Sequence, residues 1–300
     1  MALFVMQQTP AWAAGVTLKQ MTDNHSHRLA GLTGAEIIME SLKRHELYPY
    51  VYEEQTLVMT DARQHHDVRR LLRYSRMEKE GTFKAMIKFI YPETIAGSVL
   101  LFTRQLDGRR NSRIYLPALG MKPIAYVGGV EGGQMLGSEF SVEDLMPEDM
   151  RDFVYHRDND IVDGNVLYFV VQAVSFDVKH ARRTYSARTM LIRQDNFFVT
   201  RIDYLNSQGR LLKRQTRHDM HQVSGKMWRA DMIIVENYQN HYRSTLKIDR
   251  RVYSSDYVPE SMFDVSLFVP RKVVSHKAVP TDASLASEHE PAVLKQGGGQ

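Results

Sequence analysis

Residues 197–237, FFVTRIDYLNSQGRLLKRQTRHDMHQVSGKMWRADMIIVEN, decide the fold class of this chain. Short glycine-containing turn signals separate strand-like runs with a period of two, which lie at 197–205, 210–221 and 227–237. In the first turn, Gly209 can adopt the positive φ that a compact hairpin connection requires. The stretch therefore predicts antiparallel strands joined as hairpins.

The same pattern extends in both directions along the chain. The further predicted strands are 50–60, 65–76, 82–90, 97–104, 111–117, 152–157, 165–174, 184–193 and 242–253. Long strands at regular spacing, bounded by Gly, Asn, Asp or Pro, indicate an antiparallel meander rather than β-α-β units. The sequence therefore predicts a mainly β fold.

One helix is predicted ahead of the strands. Thr33 can cap it, and Glu36 stands three residues later, which is the spacing of a capping box. Apolar residues then recur on a helical stripe, at Ile37, Ile38 and Leu42, as far as about His45.

Two predicted strands carry apolar residues on both faces. They are 82–90, with Phe83, Ala85, Ile87 and Phe89 on one face and Met86 and Ile90 on the other, and 165–174. Such strands must be covered on both sides, by a second sheet, a helix or a ligand. A large curved sheet around an apolar cavity is the most specific of these alternatives.

Composition excludes several functional classes. The chain has 300 residues and no cysteine, which rules out thiol catalysis, cysteine-ligated zinc and lipoprotein acylation. The net charge of +4 is spread along the chain without a basic stripe interleaved with aromatics, so nucleic-acid binding is not expected. No stretch reaches the roughly 18 apolar residues of a membrane span.

The two ends of the chain differ from its middle. Small residues at Ala11, Ala13 and Ala14 suit signal-peptidase cleavage, so residues 1–14 are interpreted as the remnant of a secretory signal that is truncated at its start. A polar leader (15–32), a single domain (33–268) and a flexible tail (271–300) are expected to follow. Export to the periplasm follows from this interpretation.

No motif reaches the standard of a catalytic or metal site. The glycine-rich run at 128–133 lacks the Lys and Ser/Thr of a phosphate-binding loop, and neither Ser98 nor Ser138 lies in a G-x-S-x-G elbow. The histidines do not form a ligand pattern, and the neighbouring carboxylates at Glu143 and Asp144 are more typical of a capped helix start after Ser141. No enzyme activity, cofactor or metal is therefore predicted.

An ordered set of motifs resembles the LolA-like family of outer-membrane lipoprotein-sorting proteins. The motifs are FIYPETIAGSVLLF (89–102), RIYLPAL (113–119), MLGSEFSVEDL (135–145), YLNSQGRLLK (204–213) and SGKMWRADMIIVEN (224–237). The resemblance implies a large curved antiparallel sheet that forms a half-open β-barrel, with a few helices covering its concave face. It also implies framework positions at Ser98, Tyr115, Leu116, Pro117, Gly137, Ser138, Phe140 and Asp144.

The resemblance further implies a periplasmic carrier. Such a protein would bind acyl chains of lipids or lipoproteins in an apolar cavity and transfer them between envelope components, with an RND-type exporter or an outer-membrane acceptor as partner. Strongly apolar strand faces make Ile87, Phe89, Phe169 and Ile202 the predicted cavity-lining residues. The alternative is a non-catalytic envelope scaffold or adaptor that binds an exporter and carries no lipid, in which case side chains would fill the concave side.

Overall fold

The computed structural model describes residues 29–120, 122–125, 134–175, 185–206, 208–264 and 266. Within these residues the strands form one 14-stranded sheet, and every neighbouring pair is antiparallel. The sheet is curved and is not closed into a barrel, and few helices accompany it. The predicted half-open, mainly β architecture is therefore confirmed.

The elements follow the predicted order. Helix α1 spans Gly34–His45, and the strands are β1 Tyr50–Thr60, β2 His66–Met77, β3 Phe83–Tyr91, β4 Val99–Arg104, β5 Arg110–Tyr115, β6 Pro123–Ala125, β7 Phe153–Arg157, β8 Ile161–Asp163, β9 Val166–Ser175, β10 Ala187–Arg193, β11 Val199–Leu205, β12 Leu211–Ser224, β13 Met227–Asn237 and β14 Arg243–Val252. Short 3-10 turns occur at Pro117–Leu119, Glu143–Leu145, Ser255–Tyr257 and Glu260–Phe263. Strands β6 and β8 were not predicted, because three residues are too few to show an alternating pattern.

Several predictions concern segments that lie outside the described residues. These are the signal remnant at 1–14, the leader up to residue 28, the glycine-rich run at 128–133 and the tail at 271–300.

Helix α1 begins with the predicted capping box. The Thr33 hydroxyl accepts a hydrogen bond from the Glu36 backbone N–H at 3.3 Å, and the Glu36 carboxylate accepts one from the Thr33 backbone N–H at 2.8 Å. The helix buries Ile37 and Ile38 and packs against β7, β9 and β13. The cap and the apolar stripe together fix both the start of the helix and the face that it buries.

One non-sequential pairing organises the sheet. Strand β1 pairs with β2 on one side and with β14 on the other, so β1 to β6 and β7 to β14 are two consecutive runs that meet at β1 and β14. The outermost strands in the sheet order are then β6 and β7, although they are neighbours in sequence. The chain between them must travel from one edge of the sheet to the other.

Residues 134–149 of that connection cross one face of the sheet, and we call them the crossing segment. Its apolar side chains Met135, Phe140, Val142 and Leu145 are buried in one cluster with strand residues from both runs, which include Leu57, Phe89, Leu100, Val235 and Leu246. We call the face under the crossing segment and α1 the inner face. Its cover consists of α1 and this segment, so a helix and a loop, rather than a second sheet, pack on this face.

The outer face has a smaller cover of its own. Tyr52, Met86, Val99, Leu101 and Tyr115 form a cluster there with Val258 and Phe263, which belong to the chain that follows β14. This explains why β3 is apolar on both faces. Phe83, Ala85, Ile87 and Phe89 point to the inner side, and Met86 packs beneath the C-terminal 3-10 turns on the outer side.

Candidate functional site

A cavity of about 610 Å³ lies between the inner face, α1 and the crossing segment. This volume is within the range of roughly 300–1,000 Å³ that is typical of small-molecule sites. Apolar side chains from all three parts line it, among them Ile38, Leu42, Met77, Phe83, Phe140, Leu145, Met190, Phe198, Ile202, Ile233, Leu246 and Ile248.

The cavity wall also carries many ionisable groups, which the apolar cavity expected from the sequence did not include. They are His45, Glu46, Glu53, Arg73, Glu143, Asp144, Glu148, Arg188, Arg217, Arg229 and Arg251. Apolar and charged groups therefore line the same cavity, a composition that suits an amphiphilic ligand.

Most of these charges are neutralised within the protein. The Glu53 carboxylate lies 2.6 Å from the Arg251 guanidinium and 3.7 Å from that of Arg73. Burial alone would raise the pKa of Glu53, but the two guanidiniums bring it below its ordinary value. In the same way Glu148 binds Arg188 at 2.6 Å.

Asp144 fastens the crossing segment to the sheet. Its carboxylate is fully buried, lies 2.5 Å from the Lys213 ammonium on β12 and accepts a hydrogen bond from the Tyr185 hydroxyl at 3.1 Å. It also accepts the Ser141 backbone N–H at 2.7 Å, while its own N–H donates to the Ser141 hydroxyl at 3.3 Å. Burial acts to raise the pKa of Asp144, yet Lys213 and Ser141 hold it below its usual value, so the carboxylate remains charged.

A second attachment involves Glu139. Its backbone N–H donates to the Ser244 hydroxyl on β14 at 2.9 Å, and its carboxylate accepts from the Asn237 amide at 2.7 Å. The Lys213 ammonium donates to the Glu139 carbonyl at 3.2 Å. The crossing segment is therefore held by polar contacts to β12, β13 and β14 as well as by apolar packing.

The four predicted cavity-lining residues all lie buried on the inner face, in two different clusters. Ile87 and Phe89 belong to the cluster under the crossing segment, while Phe169 and Ile202 belong to the cluster under α1. Of the four, Ile202 is among the residues that line the cavity.

The predicted framework residues occupy several different places. Phe140 and Asp144 reach the cavity from the crossing segment, while Gly137, with a φ of 82°, and the buried Ser138 form the turn before them. Tyr115 is buried on the outer face, and Leu116 and Pro117 lead from β5 into the turn that follows it. Ser98 is buried just before β4, where its carbonyl accepts the Phe89 N–H at 2.9 Å.

Sequence reasoning missed the arginines of the cavity. On an isolated strand an inward arginine looks like any solvated cation. Strand alternation could have identified one of them. Arg229 is an even number of residues from Ile233 and Val235 on β13, so the three side chains point to the same face. A charged residue in phase with the buried side chains of a strand is a candidate site residue.

The described residues lack two other functional features. They contain no group of three or more His, Asp or Glu side chains arranged to hold a metal ion. No helix among them is long and apolar enough to cross a membrane.

Comparisons with known proteins agree with this fold. A family model described as "Uncharacterized protein" matches residues 81–268. No curated protein matches the chain.

Three solved structures share the fold. An outer membrane lipoprotein-sorting protein domain from Vibrio parahaemolyticus has a TM-score of 0.72 and 20% identity, over 78% of this chain and 97% of that one. A DUF1329 family protein from Desulfovibrio piger has a TM-score of 0.68 and 18% identity, over 77% and 97%. A LolA superfamily protein from Nitrosomonas europaea has a TM-score of 0.59 and 17% identity, over 76% and 100%. The resemblance to LolA-like proteins inferred from the motifs is therefore confirmed at the level of the fold.

Proposed function

This chain belongs to the family whose model, described as "Uncharacterized protein", matches residues 81–268. From its LolA-like fold we propose that it carries acyl chains of lipids or lipoproteins. The observation that carries the proposal is the cavity of about 610 Å³ between the inner face and its cover. Its aliphatic and aromatic lining suits a hydrocarbon chain.

The physical gain from such binding is sufficient. Each methylene removed from water contributes about 0.8 kcal/mol, so a chain of about 12 carbons contributes roughly 10 kcal/mol before the cost of ordering it. The cavity needs no catalytic group for this role. It needs an apolar wall and a cover that can move.

The same observation favours the carrier over an envelope adaptor. An adaptor that carries nothing has no need for open space beneath its cover, and its inner side would be filled by its own side chains. Here the space remains open although α1 and the crossing segment pack on both sides of it.

The proposal includes a location and a partner. A carrier of this kind works in the periplasm and delivers its cargo to an RND-type exporter or an outer-membrane acceptor. This part rests on the family resemblance, and the transfer step can be assayed once a cargo is known.

Two experiments test carriage directly: extraction of bound lipid from the purified protein, and obstruction of the cavity by a larger side chain. Organic extraction of purified protein followed by mass spectrometry is expected to release a lipid, and the stripped protein is expected to take up a fluorescent fatty acid. Ile233→Trp should reduce that uptake about tenfold or more, because the half-buried Ile233 side chain lines the cavity.

The adjacent residue provides a matched control. Ile234 is also half-buried, but it lies on the other face of β13, so Ile234→Trp should leave uptake unchanged. Thermal unfolding of both variants checks that they fold. Absence of lipid from repeated extractions, together with no uptake by the stripped protein, would rule out carriage.

A further inference from the structure

Two arginines on the cavity wall lack an acidic partner. Arg217 on β12 and Arg229 on β13 line the cavity, and neither forms an ion pair with any described residue. Their guanidiniums donate to main-chain carbonyls instead, from Arg217 to Val199 at 3.2 Å and from Arg229 to Trp228 at 3.4 Å. A carbonyl satisfies a hydrogen-bond donor but does not neutralise a charge.

The environment makes these two charges costly. Both side chains line the cavity from neighbouring strands, where Arg217 is paired with Ile233, four residues along β13 from Arg229. Burial lowers the pKa of both guanidiniums, and the charge of Arg229 adds to the lowering at Arg217. Because arginine does not give up its proton under ordinary conditions, the cations stay charged. An anion placed between them would relieve both the desolvation and the repulsion.

The cavity acids do not supply that anion. Glu53, Asp144 and Glu148 are each bound to another cation, at 2.6, 2.5 and 2.6 Å respectively. Glu143 is likewise not free. Glu46 forms no ion pair with a described residue. The charges of Arg229 and Arg217 act to lower its pKa, but burial outweighs them and raises the pKa above the ordinary value, so this carboxyl is a poor source of the missing negative charge.

Apolar surface stands directly beside Arg217. In the sheet register Arg217 is paired with Ile233, and Gln215, two residues before it, is paired across β11 with Ile202. Both isoleucines line the cavity. A ligand that touches this wall therefore meets a cation and a hydrocarbon surface within one strand spacing of about 4.8 Å.

We propose that the cavity binds an anionic amphiphile, with the carboxylate or phosphate of its headgroup held by Arg217 and Arg229 and its hydrocarbon chain against Ile202 and Ile233. The proposal rests on the carrier function and specifies its ligand class. Guanidinium groups suit this role because they form paired hydrogen bonds to planar and tetrahedral oxyanions.

The test compares ligands that share one chain. Stripped protein is titrated by calorimetry with dodecyl phosphate, dodecanoate, 1-dodecanol and inorganic phosphate. The wild-type protein should bind the two anionic amphiphiles about tenfold or more tightly than the alcohol, because charge-assisted hydrogen bonds distinguish them. Inorganic phosphate, which has no chain, should bind much more weakly than dodecyl phosphate.

Variants test whether Arg217 and Arg229 cause the tighter binding of the anionic amphiphiles. Arg217→Gln and Arg229→Gln should each weaken binding of dodecyl phosphate about tenfold and leave 1-dodecanol unchanged. Arg214→Gln is the matched control, because Arg214 lies on the outer side of the same strand and is paired with Asp203 at 2.6 Å. It removes the same charge from the protein and should change neither affinity.

Each contrary outcome has a distinct meaning. Equal affinity of the wild type for the alcohol and the anions overturns the headgroup site and leaves the carrier function standing, and this comparison needs no variant to fold. If inorganic phosphate binds as tightly as dodecyl phosphate, the ligand is a soluble anion and the proposal of an amphiphile is overturned. Failure of every amphiphile to bind overturns both proposals.

Discussion

His45 joins the end of α1 to two other parts of the chain. The ring is buried, and the Trp228 backbone N–H donates to its Nδ1 atom at 3.0 Å, so that nitrogen carries no proton. The Nε2 atom then carries the proton and donates to the Asn196 carbonyl at 3.2 Å. The structure therefore requires the neutral ring, and burial, assisted by the charge of Arg229, lowers the pKa of His45 to about 4.

A pH dependence of stability follows from this histidine. Its pKa is about 6.5 in the unfolded chain and about 4 in the folded one, so between these values the unfolded chain binds more protons. The contribution of the neutral His45 ring to the free energy of unfolding is fully present above pH 6.5 and is lost as the pH falls to about 4. The full effect is on the order of 3 kcal/mol, of which about 2 kcal/mol is lost by pH 5.

Urea unfolding at pH 7 and at pH 5 measures this loss. The free energy of unfolding should differ between pH 7 and pH 5 by about 2 kcal/mol less in the His45→Gln variant than in the wild type. This holds whatever the substitution does to stability at either pH. The exposed His156 serves as control, because His156→Gln should keep the wild-type difference. An unchanged difference in the His45 variant would show that the ring does not titrate in this range.

At the scale of elements, the close approach of α1 to β7 depends on Gly34. A Cβ atom at this position would lie 2.9 Å from the His156 carbonyl carbon and 3.0 Å from that of Tyr155. Both contacts are with backbone atoms, which cannot rotate away. Any side chain at this position would therefore force the helix and β7 to move apart.

Gly34→Ala is expected to destabilise the protein despite the better helix propensity of alanine. Propensity would gain about 1 kcal/mol at most, whereas overpacking against a fixed backbone costs typically 1–3 kcal/mol. The predicted net loss is about 1–2 kcal/mol in the free energy of unfolding, measured by urea titration. Gly31→Ala should be nearly neutral, because nothing lies within 4 Å of a Cβ placed there, and equal effects of the two substitutions would contradict the packing argument.

Elements were predictable where the determining signal is local. The capping box at Thr33 and the alternation along β12 and β13 are read within a few residues, and the structure places α1 and these strands accordingly. The position of a strand face is a different matter. Whether Phe169 or Arg217 meets open space depends on the pairing of β1 with β14 and on the path of the crossing segment, and both join residues that lie far apart in sequence.

At the scale of the molecule, the pairing of β1 with β14 unites the two runs of strands. Leu57 and Leu246 face each other across it and are almost completely buried. Both belong to the cluster that contains the crossing segment, so the two runs share one core. The described domain should therefore unfold as one cooperative unit.

Leu246→Ala tests this expectation. Truncation of a buried leucine should lower the free energy of unfolding by about 2–5 kcal/mol, and the transitions seen by far-UV circular dichroism and by intrinsic fluorescence should still coincide. Lys247→Ala, at the next and exposed position, should change stability by less than about 0.5 kcal/mol. Two separated transitions in the leucine variant would mean that the runs fold independently.

The route of the chain from β6 to β7 couples the two outer edges of the sheet to the segment that covers its inner face. This connection joins the two outermost strands, β6 and β7, and its described part is attached to β12 through the ion pair of Asp144 with Lys213. Separating the two edges to admit a larger ligand would place tension on this connection. The tension would act on the ion pair between Asp144 and Lys213. In this fold the separation of the two edges and the position of the crossing segment are therefore mechanically coupled.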